Sequence, residues 1–317
     1  MGLFLLGTFF LFFIISCSSA TRNSQRDGLK ENEYRRMLQR EKQRALMEAE
    51  EEASKKNVKM TAEGYERLGD SYLRQGNMEM AFLQYDKALR LNPNQVGIRY
   101  KIGRLFLEKG LAEEAKKEFQ AILKTNPSHA LAYEGLGWAS FKIGEFGEAE
   151  KNLQQAIQLS PGLWQAHHLL GIIYDHQQQF EAAITQYQKA IALKPNESGL
   201  FNNLGVSFLL KGEYEEAITS FNEALKIEAK NDKVYNNLAL ALCKLGRYPE
   251  AIELFKRGGN EASAYNNLGC VYLMEGKYKE AIEAFEKALE IKPEFYLRAY
   301  ENLKKAKEAA NPNPSQP

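Results

Sequence analysis

Small and apolar residues return along this chain with a period of thirty-four. Glycine occupies five positions at that spacing, each directly after an aliphatic residue: Gly69, Gly103, Gly137, Gly171 and Gly205. The apolar positions between them follow helical spacing in two successive stretches, which predicts two amphipathic helices per period. A proline such as Pro93 or Pro127 then stops the second helix, because proline cannot donate a backbone hydrogen bond. The pattern predicts an array of helical hairpins.

Each hairpin uses the same few positions for its core. With the recurring glycine at position 8, small residues stand at 8 and 20 and large aromatic residues at 4, 11 and 24, so two helices can approach closely around the rings. The predicted repeats are 62–95, 96–129, 130–163, 164–197, 198–231, 232–261 and 262–295, with a capping helix at 296–310 and a frayed tail at 311–317. The sixth repeat is shortened. Gly258 and Gly259 fall where its second helix would continue, so we expect a bend or fraying there.

These positions resemble the signature of the tetratricopeptide repeat. The first repeat carries it as Tyr65, Leu68, Gly69, Ala81 and Pro93. The resemblance implies an all-α, right-handed solenoid of about seven repeats plus a C-terminal capping helix, in which stacked neighbours bury the apolar faces. It also implies that the first helix of each repeat lines a concave groove and that the function is to hold another polypeptide.

The N-terminus reads as an export signal. Leu3 to Ile15 is apolar apart from Gly7 and Thr8, and this run is shorter than a membrane-spanning helix needs. The segment ending at Cys17 resembles a bacterial lipobox. We therefore expect 1–17 to be a lipoprotein signal peptide and Cys17 to be lipidated, which implies an anchor in the outer membrane on its periplasmic side. The alternative is a soluble secreted or periplasmic protein cleaved after Ser18-Ser19-Ala20.

One segment of the chain is distinguished by its density of charged residues. Residues 18–61 are dense in Arg, Lys and Glu, which predicts a tether followed by a solvated helix. The whole chain carries 42 basic and 41 acidic residues, so its net charge does not favour nucleic acid as a partner.

The first helices of the later repeats carry recurrent asparagines. Because they fall at positions 5 and 6 of successive repeats, we expect stacking to align Asn203, Asn237, Asn267 and Asn302 into a ladder. One interpretation, which resembles the asparagine ladder of O-linked N-acetylglucosamine transferases, is that these amides bind the backbone of an extended peptide. The other is that they hydrogen-bond the neighbouring helix and fix the stacking. The candidate peptide-binding residues are Asn202, Asn203, Asn236, Asn237, Asn266, Asn267, Asn302, Val206, Leu209, Leu240, Leu273, Tyr100 and Trp138.

The sequence shows little indication of a disulfide, a metal site or a catalytic site. Cys243 and Cys270 lie on adjacent first helices, which we expect to be too far apart for a disulfide. His168 and His176 point toward the groove without a third metal ligand in register. No phosphate-binding glycine loop, GxSxG elbow or HExxH motif is present, so we expect no enzyme activity, no cofactor and no small-molecule substrate.

A lipobox followed by a repeat array resembles the pilus-assembly lipoproteins. The run from Glu261 to Gly269 resembles the lipoprotein of tight-adherence (Flp) pilus systems. This implies a periplasmic scaffold with a secretin, a pilin or another envelope protein as its partner. A type IV pilus pilotin is a second candidate of this kind. The alternative function is an adaptor that regulates an envelope enzyme, such as a cell-wall synthase or a protease.

Overall fold

The computed structural model describes residues 60–293 and 297–311. The predicted signal peptide 1–17 with Cys17, nearly all of the charged segment 18–61 and the last six residues of the tail lie outside the described residues. The predictions made for those segments stay predictions.

The described part of the chain is helical throughout, with fifteen helices and no strand. In chain order they are α1 Ala62–Arg74, α2 Met78–Leu91, α3 Val96–Glu108, α4 Ala112–Thr125, α5 Ala130–Lys142, α6 Phe146–Leu159, α7 Trp164–His176, α8 Phe180–Leu193, α9 Ser198–Lys211, α10 Tyr214–Ile227, α11 Asp232–Lys244, α12 Tyr248–Arg257, α13 Glu261–Met274, α14 Tyr278–Ile291 and α15 Leu297–Ala310. Odd-numbered helices are the first helices of the predicted repeats, and α15 is the predicted cap. The all-α class is confirmed.

The chain divides into two compact units. The first extends to Leu169, and in it α1, α3 and α5 each pack on the helix that follows. The second begins at Leu170; within it α9, α11 and α13 pack in the same way, and α15 covers α14. Each unit therefore consists of consecutive helical hairpins.

A ring from the second helix rests on a bare glycine of the first helix in most hairpins. A Cβ on Gly205 would lie 2.6 Å from the ring of Phe221, which no real side chain tolerates. The same contact pairs Gly69 with Tyr85, Gly103 with Phe119, Gly171 with Tyr187 and Gly269 with Phe285. All five rings are at most 1% exposed. The prediction that these positions form the core is confirmed.

The turn between the two helices of a repeat needs a left-handed residue. Glycine supplies it with positive φ at Gly76, Gly110, Gly144, Gly212, Gly246 and Gly276. In the fourth repeat the residue at this position is Gln178, with φ 61°. A side chain is disfavoured there because its Cβ crowds the backbone. This turn is therefore strained relative to the others.

The shortened sixth repeat ends its second helix early. Helix α12 has ten residues, whereas the other second helices have fourteen. Gly258 caps α12, and α13 begins three residues later with a capping box between Asn260 and Ser263. The shortening predicted from the sequence thus appears as a helix that stops one turn early.

Replacing Gln178 with Gly should stabilise the protein by about 0.5 to 1 kcal/mol, because glycine adopts this backbone conformation without steric cost. Urea unfolding of wild type and variant measures the difference. The matched control is Gly212→Gln, which places glutamine in an equivalent turn and should destabilise by a similar amount. A Gln178→Gly protein that is less stable than wild type would show that the glutamine side chain contributes more than the strain costs.

Candidate functional site

The candidate binding residues lie on one side of the first helices. We call this side the first-helix face and define it by positions 5, 6, 9 and 12 of each repeat. Some of its side chains also contact the core, as the ring of Tyr100 does with that of Phe119, 5.9 Å between centroids.

In the second unit, asparagines of neighbouring first helices hydrogen-bond each other. The Asn237 side chain donates Nδ2–H to Oδ1 of Asn202, 2.9 Å away, and Asn302 donates to Oδ1 of Asn266 at 3.1 Å. In both pairs the donor at position 6 reaches position 5 of the preceding repeat. We call such a pair an amide rung.

These rungs differ in register from the ladder expected from the sequence. Asn237 pairs with Asn202 and not with Asn203, whose side-chain oxygen accepts from Asn202 at 3.2 Å. Asn266 is 1% exposed and Asn302 is 6% exposed. These two buried amides therefore serve to join neighbouring helices. The stacking interpretation therefore describes Asn202, Asn237, Asn266 and Asn302.

The junction of α11 and α13 has no such rung. Asn236 donates instead to the backbone carbonyl of Gly258, 3.2 Å away, and its Oδ1 is buried without a hydrogen-bond partner. Asn267, at the position-6 site, is half-buried and makes no side-chain hydrogen bond to any described residue.

The apolar candidates divide into two kinds. Leu209 and Leu240 are 7% and 3% exposed, so they pack within the helices and do not offer a surface. Val206 and Leu273 are half-buried and present part of their side chains. Only these two of the four remain candidates for contact with a partner.

In the first unit the first-helix face is charged and aromatic. The guanidinium of Arg104 lies over the ring of Trp138, 5.1 Å from its centroid, and one of its N–H groups donates weakly to the Tyr100 hydroxyl at 3.4 Å. Lys101 donates to Glu66 at 2.8 Å, which repeats the position-6 to position-5 register of the amide rungs. Tyr100 and Trp138 are both half-buried, and both pack against the core cluster that contains Phe119.

A buried carboxyl group lies beside this cluster. Glu134 is 4% exposed, and one of its oxygens has no hydrogen-bond partner. Burial raises the pKa of Glu134, while the charge of Arg104 opposes the rise. In the sequence, only its place at position 5 of the third repeat points to this residue.

A half-buried carboxyl group connects the fourth and fifth repeats. Asp175 accepts hydrogen bonds from the Ser207 hydroxyl at 2.7 Å and from the Tyr187 hydroxyl at 2.9 Å. Burial raises the pKa of Asp175 to about 6, and these two donors oppose the rise. Our sequence reasoning missed this network. The sequence feature that could have indicated this network is Tyr187 at position 24, because a buried hydroxyl group needs a hydrogen-bond acceptor.

The cysteines and histidines show no assembled site. Cys243 is buried and Cys270 is half-buried, neither forms a disulfide within the described residues, and burial raises the pKa of Cys243 to about 12. His168 stacks on Trp164, with burial lowering the pKa of the imidazole, whereas His176 is exposed. Among residues 60–293 and 297–311, no three His, Cys, Asp or Glu side chains are placed to hold a metal ion.

No helix in those ranges is long and apolar enough to cross a membrane.

Two family models match the chain. The model described as the cilia and flagella-associated protein 70 C-terminal domain matches residues 25–264, which is more than half of the chain. The tetratricopeptide repeat model matches residues 262–295. No curated protein matches the chain.

Solved structures share the fold. A tetratricopeptide repeat protein from Parabacteroides merdae is 18% identical, with 78% of this chain and 98% of that chain covered and a TM-score of 0.55. A chain of the APC/C hetero-tetramer Cut9-Hcn1 is 23% identical, with 75% and 48% covered and a TM-score of 0.57. The MamA protein is 31% identical, with 53% and 92% covered and a TM-score of 0.45. The first two likenesses establish the repeat fold and nothing finer.

Replacing Asp175 with Asn should make stability less dependent on pH. Because the folded-state pKa of about 6 lies above the ordinary value of 3.8, protonation favours the folded wild type, and this stabilisation is lost as pH rises from about 4 through 6. The variant keeps an acceptor and carries no charge. Its stability relative to wild type should therefore be greater at about pH 7.5 than at about pH 4.5, by about 2 kcal/mol. Urea unfolding at both pH values measures this. A difference between the proteins that stays constant with pH would contradict the assignment.

Proposed function

We propose that this chain, which belongs to the tetratricopeptide-repeat family of the cilia and flagella-associated protein 70 C-terminal domain, is a non-catalytic scaffold that binds a segment of another protein. The binding surface is the first-helix face. One observation carries the proposal: side chains of this face stay partly exposed in the repeat array, among them Trp138, Val206, Asn267 and Leu273.

The chemistry of the face suits a polypeptide segment. Half-buried apolar side chains contribute contact area, and the amide of Asn267 offers both a donor and an acceptor. In the first unit, Tyr100 and the Trp138 ring under Arg104 offer aromatic surface with one positive charge. Aromatic side chains and arginine are the residues most often central to protein interfaces.

The proposal extends to location and to a biological system. Support for the location comes from the apolar run Leu3 to Ile15 followed by Cys17, which resembles a lipobox. A chain acylated at Cys17 would be tethered to a membrane without spanning it, with its repeats in the periplasm. The system we propose is pilus or secretion assembly at the outer membrane, supported by the resemblance of Glu261 to Gly269 to Flp pilus lipoproteins. The match to the ciliary family supports the repeat fold, and we do not infer a ciliary location from it.

The test is co-purification of partners with the full-length chain from membranes of the native host, identified by mass spectrometry. We compare wild type with Val206→Lys, which places a charge among apolar contacts of the first-helix face. The matched control is Thr219→Lys, which places the same charge on the exposed side of second helix α10. A secretin or pilin component should be recovered with wild type and the control and be depleted with Val206→Lys. Thermal unfolding of each protein verifies that it folds.

A third variant addresses location. Cys17→Ala should release the same complex into the soluble fraction, whereas a complex that stays membrane-bound without Cys17 would contradict the anchor.

The identity of the co-purified partner distinguishes the candidate functions. Recovery of a cell-wall synthase or protease would favour the regulatory adaptor over pilus assembly. Partners retained equally by Val206→Lys and wild type would show that the first-helix face is not the binding surface.

A further inference from the structure

Helix α2 has a face that differs from the same face of the later second helices. We call Glu79, Leu83 and Asp86, at positions 18, 22 and 25 of the first repeat, the outer face of α2. Leu83 is 5% exposed, and Glu79 and Asp86 are half-buried. In the six later repeats that the structure describes, position 22 is polar and exposed: Lys117, Lys151, Thr185, Thr219, Glu253 and Glu283. The first repeat therefore buries an apolar residue where the others present a polar one to water.

The described helices that pack on α2 do not account for this burial. Helix α2 packs on α1 and α3, just as α4 packs on α3 and α5 and α10 packs on α9 and α11. With equivalent neighbours, Lys117 of α4 and Thr219 of α10 are exposed. Leu83 is also not part of the core cluster that Tyr85 forms with residues of α1 and α3. What distinguishes the first repeat is the chain that directly precedes it.

The sequence of that preceding chain suits a covering helix. Residues 33–58 end three residues before α1 and contain neither glycine nor proline. At helical spacing, Tyr34, Leu38 and Ala45 fall on one side, which gives the segment an apolar stripe. A helix over 33–58 would be about 39 Å long, whereas the 14 residues of α2 extend about 21 Å. The segment is therefore long enough to cover the outer face of α2.

Charge also favours this segment as the cover. Residues 33–44 contain five basic and two acidic residues, and the outer face of α2 carries the carboxylates of Glu79 and Asp86 on either side of Leu83. Opposite charges of this kind fix the register of a docked helix. The family match begins at residue 25 and so includes the segment.

We propose that residues 33–58 form an amphipathic helix that docks on the outer face of α2 in the same chain and buries Leu83. The segment thereby adds one helix before the first repeat. Its apolar side is covered, whereas its density of charged residues alone predicts a fully solvated helix. The inference concerns a second helix and is independent of the partner that the first-helix face binds.

Amide hydrogen exchange of the full-length chain, followed by mass spectrometry, tests the docking. Peptides from 33–58 should be protected in wild type. Leu83→Lys should accelerate their exchange about ten-fold, because an ammonium group is not buried against an apolar stripe. The matched control Thr219→Lys places the same charge at position 22 of the fifth repeat and should leave the exchange of 33–58 unchanged. If α2 itself unfolds in Leu83→Lys, Leu83→Thr replaces it, because threonine occupies this position in two later repeats.

A second pair of variants tests the apolar stripe of the segment. Leu38→Lys should accelerate exchange as Leu83→Lys does, whereas Gln43→Lys, on the opposite side of the helix, should leave the protection intact. Equal protection of 33–58 in wild type and Leu83→Lys would overturn the proposal, as would exchange in wild type at the rate of an unstructured peptide. Protection that is lost on about a hundred-fold dilution would show that a second copy supplies the covering segment, which would overturn docking within one chain.

Discussion

The contact between an aromatic ring of the second helix and a bare glycine of the first sets the geometry of each hairpin. At Gly205, Phe221 occupies the volume that any Cβ would need, so the two helix axes approach more closely than larger residues would allow. Truncating a buried ring of this kind to alanine typically costs about 3 to 5 kcal/mol. The third repeat shows that the requirement is for volume and not for aromaticity, since Leu153 takes the same place against Gly137. Because the hairpins share this geometry, equivalent residues of neighbouring first helices recur in one register.

That register determines what the first-helix face can do. Position 6 of one repeat reaches position 5 of the repeat before it, whether the pair is Lys101 with Glu66 or Asn237 with Asn202. Charged and amide pairs alike therefore serve to join adjacent repeats. A shortened second helix breaks the register locally, and the break at Gly258 leaves one amide unpaired.

The sequence predicted most of the fold because the repeat imposes few local choices. The glycine period, the aromatic residues and the prolines are each required by the local geometry of the hairpin, so these residues predict where the helices lie. The pairing of asparagines was not predictable in the same way. Whether Asn237 meets Asn202 or Asn203 depends on the rotation between neighbouring first helices, which no residue type encodes. Nor does a pattern reveal that Gln178 adopts a left-handed turn or that Asp175 is the acceptor for Tyr187, because both depend on tertiary placement.

The claim that closed rungs stack repeats while one rung stays open can be measured in the free protein. Hydrogen exchange of asparagine side-chain amides, followed by NMR of the full-length chain, reports directly on which amides are hydrogen-bonded. The account predicts slow exchange for the Nδ2 protons of Asn237 and Asn302 and fast exchange for those of Asn267. Equal protection of all three would contradict it, because Asn267 would then already have a partner within the chain.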